Sequence, residues 1–348
     1  MSSKMIFVGR NAHCWWYRLD QYRFPICRKE FDFNMGSILY YAHARTSTKE
    51  HDRIFALANI FPDIMKQITI DYKQDIQELI IQFYGLLAKK DLSIMCFGQY
   101  TYEGYLSICK TACSNSINDS STKKARYTIP IQKYDLPSWT GVHGQHWKND
   151  MYKTPFENYT VIGRALQLTC TGVTNEQHKN EISDLDSIAT KDIIPPLPQP
   201  SNDYFWTLVI SIQLPGSRNE KLIEVYTAWD EPTELGSKDY KKIISELCNL
   251  SCFFQIKKKN FQWIPNNDEI KRSKFGFRDM VESLENSHQY VLLNGVPFTS
   301  SNDDDEFIYY PVIKKNGEYY KAIGLCWTKD GEHFFDDITL EEQLFEIH

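Results

Sequence analysis

The residue pattern predicts an α+β protein, with an N-terminal helical segment followed by a mostly β C-terminal domain containing a few helices. Apolar residues recur at helical spacing in the first third, most clearly over residues 75–90. Later the spacing shortens to two, as in Leu166, Leu168 and Cys170 with Gln167 and Thr169 between them. A run of Ser, Asn, Asp, Thr and Lys from Thr111 to Lys124 has neither period and separates the two regimes. The division expected is a helical region over 1–110, a linker over 111–124 and a β-rich domain over 125–348, with a Pro-rich loop near 175–201.

In chain order, Met35 to Ala44 reads as a short apolar helix. Ser47-Thr48-Lys49-Glu50 has the spacing of a capping box, and Ile54, Leu57, Ala58 and Phe61 follow on one helical face until Pro62 ends the run. The best-marked helix is Asp75 to Lys90. Asp75 can cap it, Ile76, Leu79, Ile80, Phe83 and Leu87 form its stripe, and Lys89 and Lys90 sit at the negative end of its dipole. Tyr204 to Leu214 fits a buried strand or helix; periodicity does not separate the two. Leu222 to Ala228 reads as a strand, Asp239 to Leu250 as a helix, and Phe275 to Glu285 as a further helix. Phe307 to Lys315 and Glu318 to Trp327 flank Asn316-Gly317, whose tolerance of positive φ suits a type I′ hairpin turn.

Composition bounds the function classes. A hydrophobic fraction of 42% with 14% aromatics supports real cores. A net charge of -6 gives no general attraction to nucleic acid or anionic lipid. The first ten residues hold only a four-residue apolar stretch before Arg10, too short for a secretory signal. The apolar run from Tyr204 to Leu214 is too short for a membrane span. Nine irregularly spread cysteines point to reduced thiols, so the expected location is cytoplasmic.

Sites for chemistry are sparse. His143, His146, Asp150 and His178 lack the paired spacing of a zinc site. Cys109/Cys113 and Cys248/Cys252 are i, i+4 pairs, not C-x-x-C knuckles. No G-x-S-x-G elbow, P-loop or G-x-G-x-x-G is present, so no cofactor is expected and the balance leans away from an enzyme. The acidic runs Asp303-Asp304-Asp305-Glu306 and Asp336-Asp337 read as solvated loops. One basic stretch stands out. From Lys238 to Arg278 ten cations, among them Lys257, Lys258, Lys259, Lys271, Arg272, Lys274 and Arg278, face four acids, with Phe253, Phe254, Phe261 and Trp263 interleaved. Single-strand binding grooves use that mixture, and solvent-facing strand edges use lysines to discourage pairing. Pro195-Pro196-Leu197-Pro198 has the spacing of a P-x-x-P ligand, and also suits a stiff linker.

Three segments between Ser47 and Trp147 together resemble the closing region of the fungal heterokaryon-incompatibility (HET) family. Asp52-Arg53-Ile54-Phe55-Ala56-Leu57-Ala58-Asn59-Ile60 is similar to the family's D-P-R-D-K-V-Y-A-L-L-G-L, with Lys49, Glu50 and His51 departing from the leading D-P-R and Asn59 replacing Gly. Ile70-Asp71-Tyr72-Lys73 and the helix after it resemble D-Y-S-x-S-V-x-E-V-Y. Leu136-Pro137-Ser138-Trp139 matches an L-P-S-W that normally continues V-P-D-W; here Thr140-Gly141-Val142-His143 follows. The family's A-L-S-Y-x-W-G, W-x-D-x-x-C-I-D-Q and R-x-W-T-x-Q-E segments, whose core resembles the Toll/interleukin-receptor fold, do not occur. The resemblance therefore implies a portion without the cell-death trigger: a truncated product, a separate C-terminal module or a decayed paralogue.

Capping and packing explain these motifs as scaffolding. Asp52 lies at the positive end of a helix dipole, Arg53 is placed to pair across to another segment, and Trp139 reads as a plug between helical and β parts. The expected function is non-enzymatic recognition or regulation in an allorecognition protein, with a protein partner. Nucleic-acid or anionic-phospholipid binding through 238–278 is the second reading. A hydrolase or NAD-consuming enzyme with a site assembled from distant residues is the third.

Overall fold

A computed structural model describes residues 35, 39, 49–57, 60–97, 134–141, 146, 154, 156–174, 194–198, 205–214, 217, 219–228, 235–265, 272–278, 280, 284–285, 288–302, 305–329 and 334–348. Within them the chain is mostly β, with a few helices and a mixed twelve-stranded sheet. The strands are β1 (Tyr159–Ile162), β2 (Ala165–Cys170), β3 (Val173–Thr174), β4 (Trp206–Gln213), β5 (Glu220–Ala228), β6 (Gln255–Pro265), β7 (Ser273–Arg278), β8 (Tyr290–Leu292), β9 (Phe298–Asn302), β10 (Asp305–Asn316), β11 (Tyr319–Thr328) and β12 (Gln343–Ile347).

Pairing runs from β2 to β12, β11, β10, β8 and β3. β3 follows β2 directly across Thr171-Gly172, so the pairing path returns to the stretch of chain from which it starts. Because side chains alternate along a strand, each of these strands can serve two cores. Leu166, Leu168, Val291, Ile313, Leu325 and Phe345 join one core with Ile54, Leu79, Phe83, Leu87 and Trp139 from the helical side. Tyr290, Leu292, Tyr310, Val312, Ile323 and Cys326 join another with β4, β5 and the Ser237–Ser251 helix. β7 ties the two halves together. Ser273 and Lys274 pair in parallel with Ile223 and Glu224 of β5, while Phe275 to Arg278 pair antiparallel with β11.

The helix Ile76–Ala88 forms as the pattern requires. Asp75 caps it by accepting from the Glu78 N–H at 3.0 Å, and Leu79, Ile80, Ile81, Phe83, Tyr84 and Leu87 are buried. Each such fully buried side chain contributes about 1.5–3 kcal/mol relative to exposure. The alternation in β2 and the hairpin between β10 and β11 also match expectation. In the hairpin Asn316 pairs with Tyr319, so the two-residue loop is Gly317-Glu318, one position beyond the pair marked in the sequence, and Gly317 supplies the positive φ of 69°. Tyr204 to Leu214 resolves to strand β4.

Three expectations need correction. The single helix expected after Ser47 is two short ones, Asp52–Phe55 and Pro62–Met65. His51 holds the N-cap place of the first without a side-chain capping bond, its ring nitrogen instead lying 2.9 Å from the Gln74 carbonyl, and the Glu50 carboxylate accepts from the distant Tyr134 hydroxyl. Pro62 starts the second helix at a position where a missing N–H costs nothing. Phe275 to Glu285, expected as a helix, opens as strand β7, because Phe275 and Phe277 both enter the ring cluster around Phe253 and Phe254. Met35 and Leu39 are helical and buried. The rest of 35–44, the linker over 111–124 and all but 194–198 of the Pro-rich loop lie outside the described residues.

Candidate functional site

The three motif segments meet. Asp52 Oδ1 accepts from the Tyr72 hydroxyl at 2.7 Å, and Phe55 sets its ring edge-on to Tyr72 at 5.2 Å. Lys49 Nζ lies 4.5 Å above the Tyr72 ring, and the His51 ring sits 5.7 Å from it. The bond to Asp52 raises the Tyr72 hydroxyl pKa above its ordinary value, since a neighbouring carboxylate favours keeping the proton. Asp71 Oδ1 accepts from the Lys73 N–H at 2.9 Å, closing the turn that carries Tyr72. Ala56 is half-buried and Leu57 buried. Arg53 is exposed and makes no ion pair with a described residue, so the cross-segment pairing expected of it is not formed there.

The third segment is stitched to both sides. The Tyr134 hydroxyl donates to Glu50, and the Asp135 N–H donates to Gln77 Oε1 at 3.1 Å. Leu136 and Pro137 are buried. Ser138 Oγ accepts from the Ala322 N–H of β11 at 2.9 Å and donates to the His348 carbonyl. Along that edge of β11, β12 pairs at Tyr320 and β7 starts at Leu325. Ser138 thus occupies the gap between two strands and takes over a ladder bond that neither makes. Trp139 is fully buried, and its Nε1–H donates to the Arg164 carbonyl at 3.0 Å. Arg164 in turn binds the Asp135 carbonyl at 2.7 Å and its carboxylate at 2.9 Å, fixing the segment from its other end.

A cleft of about 780 Å³ opens over this segment, between Leu136–Ser138 and the β10–β11 hairpin. Arg164, Lys314, Lys321, Tyr319 and His348 line it. Lys314 and Lys321 are register partners, a like-charge pair placed directly opposite, which costs stability in an antiparallel sheet. Asp135 is the acid among the described lining residues, and Arg164 engages it. His348 Nε2 lies 2.7 Å from Glu346 Oε1, and bonds from His348 and Gln167 hold the Glu346 carboxyl below its ordinary pKa. Sequence reasoning missed Arg164, Lys314 and Lys321. Counting outward from the Gly317-Glu318 loop sets the two lysines opposite each other, whereas the Asn316-Gly317 turn read from the sequence would have set Lys314 opposite Tyr319.

The basic stretch is dispersed differently. β6 pairs with β4 alone among the described strands, so it is an edge strand. Ile256 pairs with Ile212 and Phe261 with Ile210, so Lys257, Lys258, Lys259 and Asn260 oppose only Ser211 and form a bulge. Lysines in an edge bulge are a device against sheet-to-sheet pairing. Arg272 Nε and Lys274 Nζ approach Glu224 at 3.5 and 3.2 Å. Arg278 lies on β7 opposite Leu325, and Lys271 lies outside the described residues. Phe253 and Phe254 are fully buried, where no base can stack on them.

Four buried thiols are held in the protonated form. Burial raises the thiol pKa of Cys96 and Cys326 well above its ordinary value and that of Cys170 and Cys252 to about 12, so these remain protonated. His146 is stacked on Tyr84 at 6.0 Å and edge-on to Phe97, and burial lowers its pKa to about 3, leaving a neutral core imidazole. His143, Asp150, His178, Cys109 and Cys113 lie outside the described residues. Among the described residues no group of three or more His, Cys, Asp or Glu is placed to hold a metal ion, and no helix is long and apolar enough to cross a membrane. Compared with family models, curated proteins and solved structures, the chain gives no match.

Proposed function

We propose that this chain is a cytoplasmic, non-enzymatic recognition or regulatory module of a fungal HET-like allorecognition protein, and that its partner is read by the cleft over Leu136–Ser138. The N-terminal region serves it as a helical scaffold. One observation carries the proposal: the first two segments singled out by resemblance are joined by the Tyr72–Asp52 bond, residues flanking the third are tied to them by Tyr134–Glu50 and Asp135–Gln77, and Ser138 of the third anchors the unit to Ala322 of β11. The bonded groups hold one another and leave the cleft rim facing outward. A cleft of this size with Lys314 and Lys321 on its wall, beside an Arg164 already held by Asp135, suits an acidic segment of a protein partner.

The test is expression of the intact chain in a filamentous fungus, alone and as the Lys314→Glu/Lys321→Glu variant, with hyphal fusion scored against tester strains. The intact chain is expected to change the frequency of incompatible fusions, and the charge-reversed chain, folded to the same circular-dichroism spectrum, to lose that effect. An intact chain that alters no fusion outcome, or a purified chain that turns over NAD, would sink the proposal. Binding of nucleic acid or phospholipid through 238–278 has less behind it, since Arg272 and Lys274 are engaged by Glu224 and two of the interleaved aromatics are in the core.

A further inference from the structure

The Pro-rich stretch is docked within the molecule. Ile194 is buried in the second core, and the carbonyl of Pro195 accepts from Trp263 Nε1–H at 2.9 Å. Trp263 and Tyr226 both pair in register with Leu208, so the three lie in one row across β5, β4 and β6. Tyr226 meets Trp263 edge-on at 6.5 Å, and its hydroxyl is fixed by Asp239 Oδ1 at 2.7 Å. Both rings are half-buried, while Pro196 is exposed and Leu197 and Pro198 half-buried.

This is the chemistry by which aromatic grooves recognise polyproline II segments. A proline has no N–H, so a proline-rich segment offers carbonyl acceptors and flat apolar rings; an indole N–H beside a second aromatic ring answers both. The ligand is already extended, so little conformational freedom is lost on docking. Trp263 also sits on an edge strand, where an incoming extended segment meets no neighbouring strand among the described residues.

We propose that Trp263 and Tyr226 form a polyproline-reading groove, occupied in cis by the chain's own Ile194–Pro198, which takes a proline-rich segment of a partner protein when the cis segment is withdrawn. The groove lies on β5 and β6, away from the cleft residues, and does not depend on the allorecognition reading. The cis segment holds the groove closed because a tethered ligand acts at a high effective concentration, which a free peptide must exceed.

The experiment uses the full chain with Pro195→Ser, Pro196→Ser and Pro198→Ser, titrated with a synthetic peptide spanning Asp192–Pro200 while the indole N–H resonances are followed. The triple variant is expected to bind saturably and at least ~10-fold more tightly than the unaltered chain, as loss of a cis competitor requires. Adding Trp263→Phe, which keeps a ring and deletes the donor, should weaken binding ~10-fold or more, the scale of one bond worth about 1.4 kcal/mol. Leu197→Ser alone serves as a milder opening variant should the triple change unfold the chain. A folded open variant that ignores the peptide would overturn the proposal. So would binding that is indifferent to Trp263→Phe, or equal binding of a peptide with its prolines changed to alanine. Sedimentation showing a dimer that exchanges the segment would assign the occupant to a second copy and overturn the partner assignment.

Discussion

Replacing Trp139 with alanine removes the largest fully buried side chain among the described residues from the contact between the Ser138–Thr140 turn, β11 and the Leu92–Met95 turn. Two terms add. Truncating a buried aromatic residue to alanine costs ~3–5 kcal/mol in lost transfer energy and cavity. The Arg164 carbonyl also loses the indole donor at 3.0 Å, and an orphaned buried acceptor costs a further ~1 kcal/mol or more if the packing does not admit water. The expected loss is therefore ~4–6 kcal/mol, with a fall in Tm of roughly 1–2 °C for each kcal/mol if the 348 residues unfold as one unit. Trp139→Phe separates the terms: it keeps most of the apolar volume, deletes the bond, and should cost only ~1–3 kcal/mol. Urea unfolding at pH 7, followed by near-ultraviolet circular dichroism, reads both. A Trp139→Ala loss below about 1 kcal/mol, the range of an ordinary surface change, would refute the plug. Equal losses in the two variants would place the whole effect in the hydrogen bond.

Other consequences follow from neighbouring residues. His146 is held neutral with a pKa of about 3 against 6.5 unfolded, so its contribution is fully present above pH 6.5 and shrinks by ~1.4 kcal/mol per pH unit as pH falls toward 3. Unfolding measured at pH 7 and pH 4 should show His146→Phe losing ~3 kcal/mol less than the unaltered chain across that interval, and identical slopes would contradict a buried neutral imidazole. Ser138→Ala removes the acceptor of the Ala322 N–H and should cost ~1–2 kcal/mol, with faster hydrogen exchange at Ala322 as its signature. Gly141 has φ 51°, and a Cβ there would come within 2.6 Å of the buried Phe97 ring, so Gly141→Ala should lower stability by at least ~1–3 kcal/mol in the same denaturation assay.

What the sequence made legible was local. Asp75 and Glu78 capped the Ile76–Ala88 helix as spaced, because a cap needs only four consecutive residues to declare itself. Leu166, Leu168 and Cys170 showed their strand, because a half-buried face imposes alternation directly. Phe275 and Phe277 carried the same alternation, hidden by Gly276 between them and by the polar residues after Arg278. Glu50 had the spacing of a cap residue, and its carboxylate accepts from Tyr134, 84 positions away, a partner that only the fold brings. The cleft was invisible for a related reason. Arg164, Lys314 and Lys321 belong to two separate hairpins, and only the pairing of both with β12 sets them around Ser138.

The same pairing explains why scaffold and cleft stand or fall together. The face that β2 and β12 bury is not a self-contained core, since Leu166, Leu168, Phe345 and Ile347 pack in the same cluster as Leu79, Phe83, Leu87 and Trp139. Stripping the helices away would expose a continuous apolar wall, which a folded chain does not tolerate on an open surface. Ser138 is the fixed point between the two sides, holding β11 with one hydroxyl while its neighbour Trp139 fills the shared core. A ligand pressing on the cleft rim therefore pushes on groups already joined to the Asp52–Tyr72 cluster through Tyr134 and Glu50. Coupling of that kind is carried by contiguous hydrogen-bonded and packed groups. It would give the proposed recognition module a route from its cleft to the helices.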